Sequence, residues 1–489
     1  MRCFNTLSPV SAPTRCPKGY HLLLSALLVM AGFGTSIPLC AALPNVVLVM
    51  SDDQGWGDVS YHGHERLKTP HLDKMASDGI RLERFYSAAP VCSPTRGSML
   101  TGRHPYRYGI FFANVGHLPG PEVTIAELLA QKGYATGHFG KWHLGTLTTT
   151  LVESNRGGPR GKKHYCPPGE NGFQEWFSTE AKTPTWDPMW KPRGLKRSTW
   201  WTPVEDKAGA VPYGTSYWHN GKRVTAELDG DDSRVIMDRA IPFIEKAARN
   251  ETPFLAVIWF HAPHLPVVSG KKYTAGFSDL DPHVQQYYGC LTAMDEQLGR
   301  LRAKLESLGV SDNTLVWFCS DNGPEGKSSA PGSSGGLRGR KRSLYEGGVR
   351  VPGIVCWPGH VEPGSRSTVP ATTSDCLPTI AAAAGLRVNP GRPLDGIDIR
   401  DLLDGSMESR PRPIGFQTRG QVAWLDNHFK LVSKTGDDGK IQSPELYNLR
   451  LDPAEKNNIA VSESERVSKM IRDLEAWRAS CRKSLAQYQ

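Results

Sequence analysis

The chain has 489 residues, 39% of them hydrophobic and 22% charged. That balance excludes a disordered chain, and Gly and Pro follow no collagen period. With 58 Lys and Arg against 49 Asp and Glu the net charge is +9, which suits an acidic substrate or an anionic surface, and no internal stretch reaches the ~20 apolar residues of a membrane span.

Arg2, Arg15 and Lys18 precede an apolar run from Leu22 to Phe33, and no acidic residue occurs before Asp52. Ala41-Ala42 then supplies a small-residue pair, so residues 1–42 read as a signal peptide of a secreted or periplasmic protein. A retained N-terminal anchor is the competing reading. Asn45–Met50 is a short β-branched apolar run of the kind found in a buried parallel strand, and Pro253–Phe260, Thr314–Ser320 and Gly353–Trp357 repeat the pattern. Helical periodicity lies between them over Val123–Lys132, Asp231–Ala248 and His283–Leu308. The last carries Leu291, Met294, Leu298, Leu301 and Leu305 on one stripe. Alternating strands and helices predict an α/β fold with a large, mostly parallel sheet flanked by helices. Ligands of such sheets gather at the carboxyl ends of the strands.

Two regions depart from that pattern. Residues 150–230 are rich in Gly, Pro and Trp (Trp176, Trp186, Trp190, Trp200, Trp201, Trp218) and read as an insertion in a catalytic domain spanning 43–410. Its tryptophans would either stack on sugar or aryl rings or form the insertion's own core. From 411 to 489, short strand signals and a helix over Glu463–Leu485 predict a small C-terminal α/β subdomain. Seven of the ten cysteines lie beyond residue 42, an odd number that leaves at least one unpaired. No CxxC pair supports a zinc or dithiol site, and Cys319 and Cys356 read as packed thiols.

The chemistry concentrates at strand ends. Asp52-Asp53 follows the first strand and Asp321-Asn322 follows another, so a parallel sheet would bring three carboxylates and one amide oxygen to one edge. An all-oxygen set suits Ca²⁺ or Mg²⁺; two unrelated turns are the bland alternative. Cys92-Ser93-Pro94-Thr95-Arg96 predicts a helix start with Ser93 as N-cap and Pro94 as first helical residue. Cys92 would then sit at a positive helix end that acidifies its thiol, with Arg96 one turn in. The loop of Cys-dependent phosphatases is longer between Cys and Arg than the three residues here. The basic, Gly/Ser-rich stretch Gly323–Ser343 lacks P-loop spacing and the interleaved aromatics of a nucleic-acid patch, and reads as a loop presenting Lys341 to an anion.

Cys92-x-Pro94-x-Arg96, with Thr101-Gly102-Arg103, resembles the core signature of the type I, formylglycine-dependent sulfatases, arylsulfatase-like. Gly133–Gly145 (GYATGHFGKWHLG) is similar to that family's second signature. Asp52-Asp53, Ala262-Pro263-His264, Asp321-Asn322, Lys341 with Tyr345–Gly348, and Glu445–Leu449 continue the likeness in order. The resemblance implies an alkaline-phosphatase-like sandwich and an exported sulfuric ester hydrolase. It implies that a maturation enzyme oxidises Cys92 to formylglycine, whose hydrate attacks sulfur and later expels sulfate. It further implies that Asp52, Asp53, Asp321 and Asn322, with modified Cys92, bind one divalent cation, Ca²⁺ before Mg²⁺. Arg96 and Lys141 would hold the hydrate, His143 would be the base, and His264 and Lys341 would contact the sulfate. The substrate would be a sulfated small molecule or glycan. A phosphoester hydrolase of the same superfamily and a catalytically silent sulfoglycan-binding protein are the alternatives.

Overall fold

The computed structural model describes residues 43–195, 200–204, 206–388 and 392–488. The signal-peptide expectation for residues 1–42 lies outside them. Residues 43–489 form one compact unit. Its strands are β1 (Asn45–Ser51), β2 (Ala135–Lys141), β3 (Glu175–Thr179), β4 (Phe254–Trp259), β5 (Thr314–Ser320) and β6 (Gly353–Cys356). In space they run β6-β5-β1-β4-β2-β3, extended by short strands at both edges. Contacts from β5 through β1, β4 and β2 to β3 are parallel. β6 pairs antiparallel with β5, which corrects its reading as another parallel strand. A continuous apolar run marks burial on both faces and carries no strand direction. Glu175–Thr179, inside the supposed insertion, is an integral strand of the sheet rather than part of an appendage.

β1 shows why the sheet sits at the centre of a three-layer sandwich. Successive side chains point to opposite faces. Val46, Leu48 and Met50 belong to one fully buried cluster with Met99, Leu100, Ile125 and Leu129. Val47 and Val49 belong to the other, with Ile236, Ala240, Ile244, Leu291, Met294 and Leu298. At about 1.5–3 kcal/mol per fully buried aliphatic side chain, this double burial fixes register as well as stability.

The helices behind these residues are α1 (Cys92–Thr101), α2 (Ile125–Gln131), α3 (Asp232–Arg249) and α4 (Pro282–Ser307). α2 starts with a reciprocal capping box between Thr124 and Glu127. Asp231 and Asp281 cap α3 and α4 by accepting from the backbone N–H of Arg234 and His283. α3 continues through Pro242.

The C-terminal strands β7 (Ile414–Thr418), β8 (Gln421–Asp426), β9 (Phe429–Thr435) and β10 (Ile441–Asn448) form an antiparallel meander. One face packs Val422, Trp424, Leu431 and Leu446 on Val467, Met470 and Leu474 of α5 (Ser464–Leu485). The other packs Phe416, Leu425 and Val432 against Tyr86, Leu344 and Val349. All seven described cysteines are unpaired and buried, Cys319 and Cys356 among them.

Candidate active site

β1 and β5 run parallel with Ser51 opposite Ser320, so the next residues of both strands leave the sheet side by side. Asp53 adopts a left-handed backbone, φ 67°, and its N–H donates to Asp321 Oδ1 at 3.1 Å. Asn322 Nδ2 donates to Asp53 Oδ1 at 2.7 Å. Gly323 is required next: a Cβ there would lie 2.0 Å from the Gly347 carbonyl oxygen. Two distant turns are thereby locked into one acidic edge, as the strand pattern predicts.

Three cations neutralise that edge. Lys141, the last residue of β2, places Nζ 2.5 Å from Asp52 Oδ2. Lys341 Nζ lies 2.5 Å from Asp53 Oδ1. Arg96 Nη2 donates to Asp321 Oδ2 at 2.8 Å and lies 3.4 Å from Asp52 Oδ2. Burial pushes the Asp52 carboxyl upward, but Lys141, His264, Arg96 and Lys341 together hold it well below the usual carboxylate range. Burial and the neighbouring Asp52 charge push Asp321 up to about 7. Burial opposes the Lys341 charge, yet Asp53, Cys92 and Asp52 hold its ammonium well above the usual lysine range.

Cys92 is the first residue of α1 and is buried. Two expectations change here. Val91, not Ser93, occupies the N-cap position, with no side-chain cap, because the helix begins at Cys92. The thiol is not acidified: burial pushes it up to about 11, although Lys141 and Lys341 pull the other way. Desolvation of a thiolate outweighs the helix end, so an unmodified Cys92 is a poor nucleophile here.

His143 also has a left-handed backbone, φ 58°. Its Nε2 lies 2.5 Å from Asn114 Oδ1, an acceptor, so Nε2 carries the hydrogen and buried Nδ1 is a lone-pair acceptor with no partner among the described residues. Burial, followed by Lys141, Arg156 and Arg96, keeps the ring neutral, well below the usual histidine range. His264 stands between two cis X–Pro bonds. Its Nδ1 meets the Leu265 carbonyl at 2.6 Å, leaving Nε2 3.6 Å from Asp53 Oδ2, and burial lowers it to about 3. His261 belongs elsewhere: its Nδ1 pairs with Asp232 at 2.7 Å and its Nε2 with Thr179 at 2.8 Å.

Asp52 Oδ1, Asp53 Oδ2 and Asn322 Oδ1 are buried without a hydrogen-bond partner among the described residues. One ligand atom each from Asp52, Asp53, Cys92 and His264 lies within 4.8 Å of the others. Orphaned buried oxygens in an all-oxygen acidic set fit a hard divalent cation. Both Asp321 oxygens already accept hydrogen bonds, from the Asp53 N–H and from Arg96.

Cys92, Lys141, His143, His264 and Lys341 line one cavity of about 590 Å³. Sequence reasoning assigned no site role to five of its polar residues: Asn114, Asn155, Lys182, Glu325 and Arg342. Lys182 follows β3 at the same carboxyl edge, a signal lost because β3 was read as insertion. None of the six tryptophans of the 150–230 segment lines this cavity. Trp176 joins the central core, Trp200 packs on Tyr213, and Trp201 stacks on His283.

Residues 44–386 match the Sulfatase family model. The chain is 33% identical over 468 residues to human (Homo sapiens) Arylsulfatase A, covering 88% of this chain and 85% of that one. It is 32% identical over 403 residues to N-acetylgalactosamine-6-sulfatase of Mus musculus, covering 79% and 71%. The crystal structure of Ps i-CgsB in complex with k-i-k-neocarrahexaose superposes with a TM-score of 0.75 at 28% identity, covering 89% and 93% of the two chains.

Proposed function

Because the chain belongs to the sulfatase family and is a sulfuric ester hydrolase, we propose that it is exported and cleaves sulfate monoesters of carbohydrates through Cys92 in its formylglycine form. Export is supported by the charged-then-apolar pattern of residues 1–42. A carbohydrate substrate is supported by the sulfated-sugar relatives and by the cationic cavity, with Lys141, Lys182, Lys341 and Arg342 against Glu325.

The observation that carries the reading is the convergence of Cys92 with orphaned oxygens of Asp52 and Asp53 beneath two lysine ammonium groups. Oxidation by a maturation enzyme would replace a thiol of pKa about 11 with an aldehyde whose hydrate is an oxygen nucleophile. Asp52, Asp53 and Asn322, with Asp321 behind them, would hold the divalent cation, Ca²⁺ or Mg²⁺, which when bound polarises a sulfate oxygen and acidifies the hydrate. Arg96 fixes Asp321 and the Lys141 carbonyl, and so sets the distance between α1 and the acidic edge. Lys141 and Lys341 offset the negative charge that a sulfate monoester, a monoanion, brings into the cavity and the further charge that develops as its ester bond breaks. His143 Nδ1, neutral and unpartnered, accepts the proton released when sulfate departs. The hydrogen donor to the departing alcohol oxygen is the Lys341 ammonium, since the one N–H of neutral His264 is spent on Leu265.

The test is the full chain, co-expressed with a formylglycine-generating enzyme and assayed on the sulfate and phosphate esters of 4-nitrophenol and on a panel of sulfated sugars. Sulfate release with a strong preference over phosphate is expected. Preferential phosphate release would favour the phosphoester-hydrolase alternative.

A further inference from the structure

Arg342 follows Lys341 in sequence and lines the same cavity, but its environment differs. Lys341 is buried against Asp53, whereas the Arg342 side chain is 51% exposed. Its guanidinium forms a bidentate pair with Glu325, Nη1 to Oε1 at 2.6 Å and Nη2 to Oε2 at 2.8 Å. Such a pair occupies two of the five guanidinium N–H donors. Glu325 Oε2 also lies 3.4 Å from Lys341 Nζ, so one carboxylate holds two cations side by side.

The backbone at Arg342 is equally constrained. Its φ is 76°, a left-handed value that costs a non-glycine residue energy and persists where surroundings enforce it. Its N–H donates to the Pro90 carbonyl at 2.9 Å, two residues before Cys92. Its carbonyl accepts from Gln421 Nε2 at 3.0 Å, and Gln421 Oε1 accepts from the Leu344 N–H at 3.2 Å. Gln421 opens β8, so the C-terminal meander pins the turn from outside while the segment leading into α1 pins it from inside. Arg419, two residues before Gln421, places its guanidinium over Phe112, another cavity residue, 4.7 Å from the ring centre. A solvated loop arginine needs neither a strained backbone nor clamps from two separate elements.

We propose that Arg342 is a specificity-determining residue that binds a second anionic group, a sulfate or carboxylate, on the carbon neighbouring the scissile sulfate ester, with Glu325 and Gln421 as its positioning residues. The planar fork of arginine suits an oxyanion, and a neighbouring substituent is the spacing that adjacent residues 341 and 342 can span. The preferred substrates are then vicinally dianionic sugars rather than isolated sulfate esters. This rests on the cavity being the sulfate-binding site.

The test is calorimetric binding to the full chain of ethanesulfonate, ethane-1,2-disulfonate and 3-sulfopropanoate, none of which can be turned over. Wild type is expected to bind one of the two dianions about tenfold more tightly than ethanesulfonate, as a charge-assisted hydrogen-bond pair gives; the tighter of the two names the second group. In Arg342→Ala the ratio should collapse to roughly twofold for ethane-1,2-disulfonate, whose two ends are equivalent, and to about one for 3-sulfopropanoate, which has a single sulfonate; Arg342→Lys should fall between. Thermal melting of both variants separates this from loss of fold. An unchanged ratio in Arg342→Ala, or an equal loss of all three ligands, overturns the assignment. If wild type binds ethanesulfonate but gains nothing from the second anion, this inference fails alone. If it binds none of the three, the sulfate-site reading fails with it.

Discussion

Lys341 Nζ and Asp53 Oδ1 stand 2.5 Å apart, and both side chains are almost wholly buried. The pair brings the basic loop down onto the carboxyl edge of the sheet, where Asn322 Nδ2 shares the same carboxylate oxygen. Lys341→Ala is expected to lower kcat/KM for an aryl sulfate by about 10²–10³-fold, the range for losing one preorganised donor to transition-state charge. Steady-state kinetics on the matured enzyme checks this, and near-wild-type activity would contradict it.

The orphaned oxygens of Asp52, Asp53 and Asn322 should make folding stability depend on a divalent cation. Calcium at about a hundred times its dissociation constant contributes roughly 2.7 kcal/mol. Thermal melting in calcium and in chelator is expected to show that gap in wild type and a much smaller one in Asn322→Ala. An identical gap in the variant would remove Asn322 from the cation site. Activity should fall with chelator and return with added Ca²⁺ or Mg²⁺.

His104 carries a pH dependence outside the active site. Burial lowers it from 6.5 to about 4. Between these values the unfolded chain binds a proton at this ring that the folded chain does not. The contribution is therefore fully present above about pH 6.5 and is lost as pH falls towards about 4, amounting to roughly 3 kcal/mol. Denaturant titrations at several pH values should give a flatter acid limb for His104→Gln than for wild type. Parallel limbs would contradict the assignment.

Lys430 of β9 joins the C-terminal meander to the core. Its buried ammonium lies 2.7 Å from Glu346 and 3.3 Å from Glu455. Lys430→Met would leave two buried carboxylates facing each other, at a cost of about 3–5 kcal/mol. Chemical denaturation should show that loss. A change under about 1 kcal/mol would mean that the carboxylates rehydrate or share a proton freely.

Much of the site was legible because the sheet is parallel at its centre. Once Asn45–Ser51 and Thr314–Ser320 read as buried strands, Asp52, Asp53, Asp321 and Asn322 had to share an edge. Lys141 and Cys92 follow from motifs placed at a strand end and a helix start. What remained hidden depends on irregular backbone. Asn114 and Arg342 come from segments without periodicity, and the left-handed turns at Asp53 and His143 leave no compositional trace. The direction of β6 was unreadable because full burial erases alternation. The Cys92 thiol was misjudged because a helix N-terminus is visible in sequence, whereas the desolvation that outweighs it appears only with the surrounding layers in place.

The central claim is that residue 92 acts as an oxidised carbonyl beside the cation-binding oxygens. It is tested most directly by mass spectrometry of the Cys92 peptide, paired with sulfate release from 4-nitrophenyl sulfate, in protein made with and without a formylglycine-generating enzyme. The expected result is an aldehyde mass at position 92 whose fractional occupancy sets the specific activity, with Cys92→Ala inactive. Full activity in protein carrying only the unmodified thiol, or in Cys92→Ala, would contradict the account.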